Sequence, residues 1–86
     1  MEIVGGNGVR LTVPLGRYRG SRVNIYGRIT MSADAKTVHV FEESPSGQLV
    51  FTRFLALSPG SYRFNLVVKD VTTGTLTSDT IPFDVK

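Results

Sequence analysis

At 86 residues the chain has room for one domain, and folding at this size buries only about 60 to 65% of the unfolded surface, so apolar residues must be used efficiently. A 41% hydrophobic and 20% charged composition fits an ordinary globular chain, and no run approaches the roughly 18 consecutive apolar residues of a membrane helix. Zero cysteines exclude disulfides, thiolate zinc sites, iron–sulfur clusters and thiol catalysis, while a net charge of +3 leaves the class of partner open.

Glycine, asparagine and Arg10 break up the start of the chain, where a leader's apolar run would stand. Gly5-Gly6-Asn7-Gly8 predicts a flexible hairpin. It lacks a following helix and the lysine-serine or lysine-threonine ending that a phosphate loop needs. Val9 to Val13 is the first strand, and Gly16 to Arg22, rich in arginine and glycine, is the least strand-like stretch and predicts a surface loop.

The next strand alternates with period two: Val23, Ile25, Gly27 and Ile29 share one face, Asn24, Tyr26, Arg28 and Thr30 the other. Ala33 to Lys36 is too short for a helix and predicts a turn before a strand at Thr37 to Glu42. Ser44-Pro-Ser-Gly47 predicts a hairpin into a strand at Gln48 to Leu57. The clearest alternation follows, with Tyr62, Phe64, Leu66 and Val68 against Arg63, Asn65, Val67 and Lys69. Thr72-Thr-Gly74 closes a final hairpin into Leu76 to Val85. Pro82 cannot donate to a central ladder and places that strand at a sheet edge.

Six to seven short strands at this spacing predict an all-β antiparallel sandwich. A strand-like start beside Met1 and an end at Lys86, next to the last apolar residue, predict a single domain over residues 1–86 taken from a longer protein.

The most specific motif is Leu57-Ser-Pro-Gly-Ser-Tyr62. Pro59 presets φ, Gly60 supplies positive φ, Leu57 plugs the core, and the chain passes from one sheet to the other. Tyr62 stands where a tyrosine corner places a buried ring whose hydroxyl bonds to backbone just upstream. These residues resemble the corner of fibronectin type III and immunoglobulin-like sandwiches: leucine, any residue, proline, a short spacer, tyrosine. The chain departs from antibody domains in having no tryptophan, and Phe64 where they carry cysteine. A narrower likeness is to accessory β-sandwich segments of bacterial extracytoplasmic proteins that accompany GWxTD-motif domains. It rests on Ile25-Tyr-Gly-Arg-Ile29, Pro59-Gly-Ser-Tyr-Arg63, Val68-Lys-Asp-Val71 and Gly74, and the GWxTD motif itself is absent. Prealbumin-like repeats of bacterial surface proteins share the proline-glycine-any-tyrosine corner. These resemblances imply an accessory module without enzymatic activity or cofactor, and the bacterial likeness implies an extracytoplasmic location.

Candidate chemistry is sparse. His39, the only histidine, alternates with Val38 and Val40 as an ordinary strand residue, and no second histidine or cysteine completes a metal set. Glu42 and Glu43 point to opposite faces of a strand and predict a solvated hairpin end rather than a cation site. A serine nucleophile would lack both its elbow and a base.

One cluster stands out. Arg10, Arg17, Arg19, Arg22 and Arg28 fall between Glu2 and Asp34 with no acidic residue among them, and Tyr18 and Tyr26 interleave. Guanidinium groups beside aromatic rings can hold phosphates and stack bases, or meet an acidic protein surface. Arg17, Tyr18, Arg19, Arg22, Tyr26 and Arg28 are therefore the candidate partner-binding residues. The leading expectation is a structural or protein-interaction module that binds protein through an exposed edge strand or this basic region. The alternative is an anion-binding module for nucleic acid, acidic polysaccharide or an acidic protein surface.

Overall fold

A computed structural model describes residues 2–4, 8–45 and 47–86. Seven strands follow one another: β1 (Glu2–Val4), β2 (Gly8–Pro14), β3 (Val23–Met31), β4 (Thr37–Glu43), β5 (Val50–Ala56), β6 (Gly60–Asp70) and β7 (Leu76–Val85). A single 3-10 turn at Gly16–Tyr18 interrupts the loop expected between β2 and β3. Among the described residues there is no α-helix, hence none long and apolar enough to cross a membrane.

The strands form two sheets, a three-stranded one ordered β1-β2-β5 and a four-stranded one ordered β4-β3-β6-β7, and every neighbouring pair is antiparallel. Val9, Leu11, Val13, Phe51 and Leu55 from the first sheet meet Ile25, Ile29, Phe41, Phe64, Val68, Phe83 and Val85 from the second in one buried core. The period-two reading of β3 and β6 holds, because their even spacing sends each apolar set inward. β1 is an addition to the strands that begin at Val9, and it pairs Ile3 with Val9. Gly8 opens β2 in the ladder, whereas Gly5 to Asn7 of the expected hairpin lie outside the described residues.

One predicted connection is different. Ser44 to Gly47 does not close a hairpin, because β4 and β5 belong to different sheets and the segment carries the chain between them. The physical reason is the inward face of each strand: Phe41 and Phe51 stack face to face across the core, with ring centroids 6.1 Å apart, so the two strands meet through side chains. Gly47 takes a φ of +69° in the crossing, and Ser46 lies outside the described residues.

The final hairpin is as expected. Asp70, buried at the end of β6, accepts hydrogen bonds from the Thr72 and Thr73 N–H groups through Oδ1, and Gly74 turns the chain at φ +77°. β7 is an edge strand, as Pro82 required, with Arg63 opposite the proline.

At the corner, Leu57 is buried and Tyr62 is only 3% exposed, its ring stacked on Phe83 at 5.5 Å. The Tyr62 hydroxyl donates to the Ser58 carbonyl oxygen four residues upstream. Gly60 has a positive φ of +159°, close to full extension, so it continues into β6 without a sharp turn.

The β3–β4 turn holds a strained residue. Ala35 has φ +56°, fixed by its N–H donating to the Met31 carbonyl and by the Met31 N–H donating to the Lys36 carbonyl. A side chain in this left-handed region costs about 1 kcal/mol. Ala35→Gly is therefore expected to raise stability slightly, by up to about 0.6 kcal/mol in urea unfolding, the strain relieved being largely offset by the added freedom of the unfolded chain. A loss of stability would show that the turn is not held in this conformation.

Candidate interaction surface

Because β3 alternates, Tyr26 and Arg28 stand on the outer face of the four-stranded sheet. Register then decides their neighbours. Tyr26 lies opposite Glu42 of β4 and Val67 of β6, and Arg28 lies opposite Val40 and Asn65. These six residues line a shallow depression of about 390 Å³. Val40 is 59% exposed within it, and Asn65 accepts a hydrogen bond from the Thr80 hydroxyl of β7. An aromatic ring, two aliphatic side chains, an amide and charges of both signs thus share one face.

The remaining sequence-predicted residues are elsewhere. Arg17 and Tyr18 belong to the 3-10 turn, with the Arg17 guanidinium 5.5 Å from the Tyr18 ring centroid and the Tyr18 ring packed against the core. Arg19 is exposed just after the turn. Arg22 sits at the entry to β3, its N–H donating to the Thr72 hydroxyl and its carbonyl accepting from the Val71 N–H. Six strand residues at about 3.3 Å each separate it from Arg28, about 20 Å. Tyr26 and Arg28 are therefore brought together on the sheet, and Arg17, Arg19 and Arg22 belong to the β2–β3 loop.

Arg53 has a role that the sequence does not single out. It occupies an inward position on β5, between Phe51 and Leu55, yet reaches the flank where β5 faces β4. There its guanidinium lies 4.7 Å from the Phe41 ring centroid and forms an ion pair with Glu43. Glu43 is accordingly not a hairpin end: its partly exposed carboxylate pairs with an arginine from the opposite sheet, and only Glu42 faces outward. The alternation of Phe51, Arg53 and Leu55 was the available signal, since a charge at an inward site needs a partner.

His39 is half-buried on the inner side of β4, its ring 6.1 Å from Phe41, with Nε2 making no hydrogen bond. Among the described residues no three metal-ligating side chains stand together. No protein-family model matches the chain, and comparisons with curated proteins and with solved structures found no match.

Proposed function

We propose that this chain is a non-enzymatic immunoglobulin-like module of a larger protein and binds a protein partner through the outer face of its four-stranded sheet. The topology supports the first half. The first, second and fifth strands share one sheet and the third, sixth and seventh the other, as in immunoglobulin-like sandwiches, and the Tyr62 to Ser58 bond sits at the fifth-to-sixth strand connection. The fourth strand joins the third here, whereas antibody constant domains place it with the first, second and fifth.

The observation carrying the second half is the depression lined by Tyr26, Arg28, Val40 and Val67. Tyrosine and arginine are enriched in protein interfaces, where a partly apolar centre surrounded by polar groups excludes water. The same geometry favours a protein over a polyanion, because Glu42 stands beside Tyr26 while Arg22 lies about 20 Å along the strand from Arg28. Photo-crosslinking tests this. A photoreactive residue at Val40 is expected to give a discrete crosslinked protein product in cells that make the natural protein, while one at Thr12, on the outer face of the other sheet, gives none. Equal yields from both positions would refute a binding face around Val40.

A further inference from the structure

Among the described residues four strands have a free edge, and three of those edges are short, bent or broken by proline. β1 is only three residues long. β7 carries Pro82, which cannot occupy a hydrogen-bonded pair with Arg63, so its missing N–H falls on the free side. β4 has a register shift near Thr37, which bends the edge, and two glutamates at its end.

β5 carries only one such device, the inward-facing Arg53, whose charge is already paired with Glu43. Its seven residues pair with β2 in unbroken register from Gly8↔Ala56 to Pro14↔Val50, and it contains no proline or lysine. The Leu15 N–H donates to the Leu49 carbonyl, which fixes the phase of the ladder: Phe51, Arg53 and Leu55 bond to β2, whereas Val50, Thr52 and Phe54 present their N–H and C=O groups to the free edge. Pro14, opposite Val50, fits this phase, since it stands at a non-hydrogen-bonded site. On the outer face of the same strand Val50 is 48% and Phe54 56% exposed.

We infer that β5 pairs antiparallel with β5 of a second copy of this chain, about a two-fold axis at Thr52, joining the two three-stranded sheets into one. The sequence of the edge selects both occupant and register. With Thr52 opposite Thr52 of the second copy, Val50 meets Phe54 and Phe54 meets Val50. These are a threonine pair and two β-branched–aromatic pairs, combinations that stabilise neighbouring strands. All three outward-facing residues then fall in hydrogen-bonded pairs. Shifting the axis by one residue would set Arg53 opposite Arg53, which like charge disfavours; at Thr52 it meets Phe51. This surface is on the other sheet from the depression around Val40, so the two proposals stand or fall separately.

The cysteine-free sequence makes the register directly testable. Cα atoms of a hydrogen-bonded pair lie about 5.5 Å apart, within the range a disulfide spans. Thr52→Cys is expected to form a covalent dimer under mild oxidation at least about tenfold faster than Ala56→Cys, whose two thiols the register keeps far apart. Sedimentation equilibrium of the unmodified chain is expected to show reversible dimerisation between about 10 µM and about 1 mM. Thr52→Lys is expected to abolish it while leaving the circular dichroism spectrum unchanged. A chain that stays monomeric up to about 1 mM, or equal oxidation rates for the two cysteine variants, would overturn self-pairing; neither result bears on crosslinking at Val40.

Discussion

Gly27→Ala is expected to destabilise the domain by about 3 kcal/mol, the upper range for forcing an added methyl group into a packed core. Gly27 faces inward on β3 directly opposite Phe41, and a Cβ there would lie 2.2 Å from Phe41 Cε1 and 2.3 Å from Cζ. Such a contact is tolerable only if the ring can leave. Phe41 cannot do so freely, being stacked near Phe51 at 6.1 Å and Phe64 at 6.2 Å, with the Arg53 guanidinium over its face. The ring occupies the volume that the missing side chain leaves, and the two positions behave as one packing unit. A urea titration of Gly27→Ala, Phe41→Leu and the double variant checks this. The double variant is expected to be more stable than the sum of the single losses by about 1 kcal/mol or more, because the leucine vacates the space the methyl group needs. Strict additivity, or a Gly27→Ala loss below about 1 kcal/mol, would mean that Phe41 is not held against the glycine.

Tyr62→Phe would cost about 1 to 3 kcal/mol were its hydrogen bond fully buried; with the bond part-buried, the expected loss is about 0.5 to 1.5 kcal/mol. The substitution keeps the ring and its stacking on Phe83 and removes only the hydroxyl that donates to the Ser58 carbonyl. That carbonyl then loses its donor at the crossing between sheets, but Ser58 is exposed and water can take the donor's place, so the loss is that of one ordinary hydrogen bond. An unchanged denaturation midpoint would show that the hydroxyl contributes nothing to stability.

What was legible in the sequence follows from how local each signal is. The corner could be foreseen because Tyr62 and Ser58 are four residues apart, with a proline that restricts the path and a glycine that permits it. The faces of β3 and β6 could be foreseen because side-chain alternation is a property of the strand alone. The Ser44 to Gly47 segment misleads because a turn's residues report only that the chain bends. Whether the bend stays in one sheet depends on Phe41 and Phe51 seeking the same core. Arg53 and Glu43 meet for the same non-local reason. At the candidate surface, alternation alone puts Tyr26 and Arg28 together, but Val40, Asn65 and Val67 come from two other strands. Only the register of β4 and β6 against β3 sets them beside those residues. Arg17, Arg19 and Arg22 look contiguous with Arg28 along the chain, and a strand's rise separates them.

The sheet orders also govern how the chain reaches this state. β1–β2, β3–β4 and β6–β7 pair with the next strand in sequence, and each needs only a short turn to close. None of these units completes the core. That requires β2 to meet β5 and β3 to meet β6, pairings such as Leu11↔Arg53 and Gly27↔Leu66 whose partners are roughly forty residues apart, and each closure costs about 3 kcal/mol of chain entropy before any burial offsets it. The slow event in folding is therefore expected to be the closing of these long-range pairings rather than of any one hairpin. The passages between sheets, at Leu15 to Arg22, Ser44 to Leu49 and Leu57 to Pro59, are the segments whose length and stiffness set how long that closing takes.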